Sequence, residues 1–352
     1  MKMGIRIMFL LKLFVLFFLT SCARNSIEPE ENIINNAPQL DEAFAQAETV
    51  TNIKSLIVSY NGSIVREKYW RNGGTNNIHD VRSVTKTVTG LLIGIAIEKG
   101  FIKSIDQPIE DFSSLLSVEF PQDKSSITIK HLLTMSGGFL WDELISVSGY
   151  NNWIGSPNQI LYVLNTPMAN NPGQVFTYNS GAIHLLSAII TASTGVSTKQ
   201  FAETYLFNPL GFKNVVWETD HQGIYNGGAG LQMSPRDMVK IGELIRNKGI
   251  YNGNRIVSEA WINQAIQFQI STGNAQPFAT GYGYCLWTGK ANNIEYYFAN
   301  GWGGQFLVVV PSLNLVVSAT NEWSGVSTSI ANNQWYSTLN IIINKILPAF
   351  NK

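Results

Sequence analysis

The predicted strands of this chain lie at its two ends, and the segment between them favours helices. Near the N-terminus, the apolar runs 55–60 and 63–70 flank Asn61-Gly62, a pair typical of a two-residue hairpin turn. Residues 106–224 have many Pro and Gly breaks and no convincing pair of strands. Further strands are predicted over 283–288, 294–300, 305–310 and 315–320. This order predicts an α+β fold, in which one antiparallel sheet is built from both ends of the chain and is flanked by helices.

The predicted helices follow from apolar residues that recur at helical spacing. The clearest is 83–99, where apolar residues recur from Val84 to Ile95 and Gly100 follows the last turn. The other predicted helices span 40–48, 129–135, 182–193, 198–206, 235–247, 258–267 and 329–346.

Composition limits the class of protein. With 45% apolar and 14% charged residues, the chain is not disordered. Lys and Arg together number 24, as do Asp and Glu, so no basic excess indicates a nucleic-acid partner. The 352 residues allow two compact units. The pattern predicts a sheet domain formed by residues 46–105 with 225–352, and a mostly helical domain over 106–224.

The first 21 residues have the features of a secretory signal, because a basic start with Lys2 and Arg6 precedes a short apolar run. The run ends in Leu-Thr-Ser-Cys at 19–22, which resembles the bacterial lipobox. This resemblance implies that Cys22 is acylated and anchors the protein to a bilayer of the bacterial cell envelope, facing the periplasm or the outer surface. An ordinary cleaved signal and an uncleaved anchor are the alternatives. Residues 22–45 are predicted to form a tether.

The residues Ser83-Val-Thr-Lys86 carry the chemistry most typical of an enzyme. A hydroxyl and an amine three residues apart share one face of a helix, so the amine can reach the hydroxyl and accept its proton. The positive end of the helix also favours the oxyanion that follows attack by Ser83. The alternative is that Ser83 caps the helix and Lys86 is a solvated surface residue.

Other catalytic patterns are weaker. The chain has no Gly-x-Ser-x-Gly elbow, and no pair among its four His residues has metal-ligand spacing. His131 and His184 are therefore predicted to be structural, and we predict no metal or cofactor. One cluster in the helical segment forms a candidate wall of a cleft, with no role assigned to any single member: Trp141, Asp142, Glu143, Tyr150 and Trp153.

Several longer phrases carry a family resemblance, and they lie at 127–137, 172–181, 209–211, 234–242 and 301–305. Together with the Ser-x-x-Lys motif, they resemble the serine β-lactamase-like superfamily, which includes the class C β-lactamases, and within it the esterase and 6-aminohexanoate-dimer-hydrolase-like branch. The similarity runs over residues 45–345 and implies a β-lactamase/transpeptidase-like fold.

The resemblance implies a role for each matching residue. Ser83 is the expected nucleophile, Lys86 its adjacent base, and Tyr178 of Tyr-Asn-Ser the second motif. The backbone N–H groups of Ser83 and Gln305 are the expected oxyanion hole. A tyrosine acts as a general base only if nearby cations lower its pKa from about 10, and Lys86 is expected to supply that field.

Four further residues are expected to line the substrate cleft, and two of them depart from the pattern of β-lactamases. Trp302, Gly303 and Gly304 stand where β-lactamases have Lys-Thr-Gly, so a cation that binds the penicillin carboxylate is missing. Ser180 stands in place of an Asn that helps to hold the substrate amide. Both departures argue against efficient hydrolysis of β-lactams.

The expected function is that of a serine hydrolase that acts on small ester or amide substrates through an acyl-Ser83 intermediate. The first alternative is a D-amino-acid peptidase or a weak β-lactamase that acts on cell-wall substrates. A non-catalytic periplasmic receptor is the second.

Overall fold

A computed structural model describes residues 29–144 and 146–351 of the chain. The predicted signal peptide over residues 1–21, the acylation site Cys22 and the first part of the predicted tether, residues 22–28, lie outside the described residues. These three predictions therefore stay predictions.

The strands form one large antiparallel sheet and two small ones. The large sheet has seven strands in the order β2-β1-β12-β11-β10-β9-β8, so both ends of the chain contribute to it. The strands are β1 (Ile53–Tyr60), β2 (Ser63–Tyr69), β3 (His79–Asp80), β4 (Val216–Trp217), β5 (Leu231–Met233), β6 (Ile250–Tyr251), β7 (Asn254–Arg255), β8 (Gly281–Tyr282), β9 (Trp287–Ala291), β10 (Ile294–Gly301), β11 (Gln305–Val310) and β12 (Leu315–Asn321).

Helices cover the sheet and fill the middle of the chain. They are α1 (Pro29–Glu48), α2 (Thr85–Glu98), α3 (Ser113–Leu116), α4 (Ile129–Leu133), α5 (Val147–Ile154), α6 (Gln159–Asn165), α7 (Ser180–Thr194), α8 (Thr198–Ala202), α9 (Pro235–Arg246), α10 (Glu259–Ile266), α11 (Thr328–Ile341) and α12 (Leu347–Phe350). The predicted α+β arrangement is confirmed.

The centre of the sheet is covered on both faces. Every residue of β11 and β12 is buried. On one face, Gly242 of α9 packs so closely that a Cβ there would lie 2.8 Å from Leu307 Cδ1. On the other face, Trp335 of α11 packs against Phe306, with 5.4 Å between the ring centroids. Because neighbouring residues of a strand point to opposite faces, the apolar run of β11 is buried from both sides.

The tether predicted for residues 22–45 is wrong from Pro29 onward, where α1 begins. Leu40, Phe44 and Ala47 are buried and lie on one face of α1, and Phe44 contacts Trp70 with 6.3 Å between the ring centroids. Burial of this face attaches the end of α1 to the sheet.

The strand predicted over 283–288 is wrong for residues 283–286, which turn between β8 and β9, whereas 287–288 begin β9. Gly283 N–H donates to the Leu286 carbonyl at 2.8 Å, and Cys285 adopts a left-handed backbone with φ +56°. The segment 106–224 contains β4, which pairs with β5 outside that segment. The boundaries of the two predicted domains stay a prediction.

Among the described residues, no single helix has the length and apolar composition to cross a membrane. The segments Ser180–Thr194 and Thr198–Phe207 pass that test only as a pair bent by 79°.

Candidate active site

Ser83 lies in a short 3-10 turn, Arg82–Val84, directly before α2. Arg82 has a left-handed backbone with φ +50°, which is uncommon for a residue with a side chain. Asp80 holds this conformation, because its Oδ1 accepts the Arg82 N–H at 2.7 Å. The turn places the half-buried Ser83 at the positive end of α2, where a developing negative charge is stabilised.

Lys86 is buried beneath Ser83, with 1% of its surface exposed. Its Nζ donates to Ser83 Oγ at 2.7 Å and to the Gly228 carbonyl at 2.8 Å. It also lies 4.7 Å from the centroid of the Tyr178 ring. The alternative of a surface lysine beside a capping serine is wrong, since no side chain caps α2 and Lys86 is inside the protein.

The surroundings of Lys86 make its amine a usable base near neutral pH. Burial lowers the pKa of Lys86 from 10.5 to about 8, because the ammonium is removed from water. The Glu143 carboxylate opposes this change, whereas the Arg82 guanidinium adds to it. A large fraction of the amine is therefore neutral around pH 8, and a neutral amine can accept the proton of the hydroxyl that it touches.

Tyr178 is close to Ser83 and Lys86 but has the opposite acid–base character. Its ring is buried, 8% exposed, and stacks on Trp287 with 5.7 Å between the centroids. Burial raises the pKa of Tyr178 well above 10, the Glu143 carboxylate raises it further, and a hydrogen bond with the Ser83 side chain lowers it in part. The expectation that Lys86 would lower the pKa of Tyr178 is wrong, because burial dominates. The phenol remains a proton donor.

The third motif, Trp302-Gly303-Gly304, connects β10 to β11. Gly303 and Gly304 have left-handed backbones, with φ +75° and +96°. The Gly303 carbonyl accepts a hydrogen bond from Gln334 Nε2 and the Gly304 carbonyl one from Asn321 Nδ2, each at 2.6 Å. These contacts make the connection rigid. Trp302 is half-buried and both glycines are buried.

Gly301, directly before the third motif, brings this connection against the nucleophile turn. A Cβ at Gly301 would lie 2.5 Å from the Val81 carbonyl and 2.9 Å from Arg82 Cβ, so only glycine permits this approach. Gln305 pairs with Gly301 at the start of β11. The backbone N–H groups of Ser83 and Gln305 thus belong to neighbouring segments, and their role as the oxyanion hole stays a prediction.

Ser180 does not line the cleft as predicted, since it is fully buried. Its Oγ donates to Glu143 Oε1 at 2.5 Å, and its backbone N–H donates to Glu143 Oε2 at 2.7 Å. Burial at the start of α7 explains the difference, because the hydroxyl is held by a carboxylate inside the protein.

Glu143 is the residue of this site that the sequence did not single out. Glu143 acts on both Lys86 and Tyr178 through its charge. The sequence placed it in the Trp141–Trp153 cluster, but no motif distinguished it from its neighbours. Tyr150 of the same cluster lies beside the nucleophile turn, with its ring 5.6 Å from the Arg82 guanidinium.

The two histidines predicted to be structural have structural contacts. His131 forms a capping box with Thr128 at the start of α4. His184 is buried and pairs with Asp220, with 3.0 Å between Nε2 and Oδ2. Within residues 29–144 and 146–351, no three His, Cys, Asp or Glu side chains are grouped so that they could hold a metal ion.

Comparisons with known proteins agree with the resemblance in the sequence. The β-lactamase family model matches residues 54–333. The chain is 22% identical over 279 residues to a 6-aminohexanoate-dimer hydrolase of Paenarthrobacter ureafaciens, and this match covers 74% of this chain and 71% of that protein. It is 29% identical over 173 residues to a β-lactamase of Escherichia coli (strain K12), and this match covers 45% of this chain and only 41% of that protein.

Solved structures share the fold. EstCE1, a hydrolase with promiscuous acyltransferase activity, matches with a TM-score of 0.69 at 16% identity, over 87% of this chain and 99% of that chain. A penicillin-binding protein of Bacillus halodurans matches with a TM-score of 0.67 at 18% identity, over 85% of this chain and 98% of that chain. These matches confirm the predicted β-lactamase/transpeptidase-like fold.

The burial of Lys86 predicts a contribution to stability that depends on pH. Its pKa falls from 10.5 to about 8 on folding, so the unfolded chain binds more protons between these two pH values. The contribution of Lys86 to the free energy of unfolding is therefore lowest below pH 8 and rises by about 3 kcal/mol as the pH approaches 10.5. The variant Lys86→Met lacks this change.

Urea unfolding of the wild type and of Lys86→Met, at about pH 7 and about pH 10, measures this contribution. We expect the wild type to gain stability relative to Lys86→Met at the higher pH. A difference between the two proteins that is the same at both pH values would show that the pKa of Lys86 is not lowered.

Proposed function

We propose, from the premise that this chain belongs to the β-lactamase family, that it is a serine hydrolase which forms an acyl-Ser83 intermediate with small ester or amide substrates. The observation that carries this proposal is the 2.7 Å hydrogen bond from a buried Lys86 to Ser83 Oγ. A lysine in contact with solvent would be protonated at neutral pH, whereas burial makes the amine of Lys86 available as a base.

Acylation begins when the neutral Lys86 amine accepts the Ser83 proton. Ser83 Oγ then forms a bond to the carbonyl carbon of the substrate, and the carbonyl oxygen becomes an oxyanion. The backbone N–H groups of Ser83 and Gln305 stabilise this oxyanion. Loss of one such donor typically raises the activation barrier by about 3–4 kcal/mol. The positive end of α2 adds to this stabilisation.

Collapse of the intermediate breaks the bond to the leaving group. Tyr178 donates its phenolic proton to the departing oxygen or nitrogen, and the Lys86 ammonium, 4.7 Å from the Tyr178 ring, returns a proton to the phenolate. Water then attacks the acyl-Ser83 ester. Tyr178 accepts the proton of this water and passes its own proton to Lys86, which is the reverse of the order in acylation. The acid is released and Ser83 Oγ regains its proton.

The substrate class follows from the residues at the third motif. Trp302 supplies no cation there, so this position lacks the lysine that binds the carboxylate of a penicillin in β-lactamases. Two similar proteins, a 6-aminohexanoate-dimer hydrolase and EstCE1, are hydrolases by name, which supports a hydrolase activity. We therefore favour an esterase or amidase activity.

Two alternatives remain open to test. Similarity to a β-lactamase over part of the chain favours a cell-wall peptidase or weak lactamase as the second candidate. Its signature is turnover of nitrocefin or of D-Ala-D-Ala peptides in preference to esters. A non-catalytic receptor is disfavoured, because Ser83 and Lys86 are hydrogen bonded and Tyr178 lies against them.

We further propose that the protein is anchored in the bacterial cell envelope by a lipid on Cys22. The resemblance of residues 19–22 to the lipobox supports this proposal.

Replacement of Ser83 by Ala tests the proposed nucleophile. A fluorophosphonate probe should label the wild type on Ser83, as located by mass spectrometry of the adduct. Ser83→Ala should lose the label and lower ester turnover by a factor of about a thousand or more, with an unchanged melting temperature. Full turnover by a folded Ser83→Ala protein would contradict the assignment.

Replacement of Tyr178 by Phe tests the proton donor. The variant keeps the buried ring but cannot protonate a leaving group. We expect a loss of about a hundredfold or more with alkyl esters and amides, and a much smaller loss with a p-nitrophenyl ester, whose leaving group departs as an anion. Steady-state kinetics with the three substrates measure the difference. Equal losses with all three would show that Tyr178 does not act as the donor.

A further inference from the structure

The carboxylate of Glu143 is held rigidly beside the active site, and the steps proposed above do not use it. Its Oε1 accepts the Ser180 hydroxyl at 2.5 Å, and its Oε2 accepts the Ser180 backbone N–H at 2.7 Å and Trp141 Nε1–H at 3.0 Å. All three partners are donors, and Ser180 lies at the start of α7. Both oxygens of the Glu143 carboxylate are therefore held in place by hydrogen bonds.

Ser180 places this anion close to the ammonium of Lys86. Lys86 Nζ binds the Gly228 carbonyl at 2.8 Å, and a Cβ at Gly228 would lie 3.0 Å from Ser180 Cβ. Gly228 thus packs directly on Ser180, and Glu143 binds the hydroxyl of the same residue. Glu143 and Lys86 are thus connected through Ser180 and Gly228.

The other groups around Lys86 do not supply a negative charge. Burial raises the pKa of Cys285 to about 12 and keeps its thiol neutral. Tyr178 is a neutral phenol for the same reason. Arg82 is a cation and disfavours a second positive charge. Among the described residues whose charge acts on Lys86, Glu143 is the anion.

We propose that Glu143 is a positioning residue that supplies the counter-charge of Lys86 and thereby fixes the pH at which this amine becomes free to accept the Ser83 proton. The inference rests on the proposed function only in its claim that the Lys86 amine accepts the Ser83 proton. Without the carboxylate, burial and Arg82 act unopposed, so the ammonium loses its proton at a lower pH.

The test is a direct titration of Lys86. The ¹³Cε resonance of Lys86, assigned by its absence in Lys86→Met, reports the protonation of the amine in the intact protein. We expect a midpoint near pH 8 in the wild type. In Glu143→Gln the midpoint should fall by about one pH unit or more, and Glu143→Met provides a second charge-free variant should Glu143→Gln not fold.

Two variants act as matched controls. Asp142→Asn removes a negative charge from the neighbouring, exposed residue, whose Oδ1 accepts the Ser146 N–H at 3.0 Å, and should leave the midpoint in place. Glu143→Asp keeps the charge and should restore most of the wild-type midpoint. An unchanged midpoint in the charge-free variants, or an equal fall in Asp142→Asn, would overturn the inference.

The rate of Ser83 labelling separates this inference from the proposed function. Below both midpoints, the neutral fraction of Lys86 in Glu143→Gln should be about ten times that of the wild type, so labelling at low pH should be faster by a similar factor. If the Lys86 midpoint falls but the labelling rate does not follow it, Glu143 is the counter-charge and Lys86 is not the base.

Discussion

The buried amine of Lys86 is the feature on which the rest of the site depends. An ammonium in the interior is stable only when its donors have partners and a counter-charge is near. Lys86 has two oxygen acceptors, Ser83 Oγ and the Gly228 carbonyl. One of these acceptors is the proposed nucleophile. The contact that makes burial of the lysine possible is therefore also the contact that makes the serine reactive.

Close backbone approaches bring three distant segments to this amine. Gly228 packs against Ser180, Gly301 packs against the Val81 carbonyl, and the left-handed Arg82 turns the chain into α2. Gly228 and Gly301 permit these approaches because they have no side chain, and Arg82 takes part through a left-handed backbone. The seven-stranded sheet, built from both ends of the chain, provides the frame in which these approaches are fixed.

The parts of the structure that depend on neighbouring residues could be predicted from the sequence. The Asn61-Gly62 hairpin, the strand over 305–310 and the Ser83–Lys86 pair are local patterns, and the structure has them as β1–β2, β11 and the 2.7 Å contact. The contact of Glu143 with Ser180 could not be predicted, because 37 residues separate the two in the chain. The acid–base character of Tyr178 was predicted wrongly, since its pKa follows from burial, which the motif does not reveal.

The pH dependence of Ser83 acylation tests the central claim most directly. Its measurement is the second-order rate constant for labelling by a fluorophosphonate, with the adduct on Ser83 verified at each pH. With Lys86 as the base, the rate should rise about tenfold per pH unit at low pH and become constant above a midpoint of about 8. A rate that continues to rise beyond about pH 10 would contradict this account, because it would assign the proton to a group with an unlowered pKa such as Tyr178.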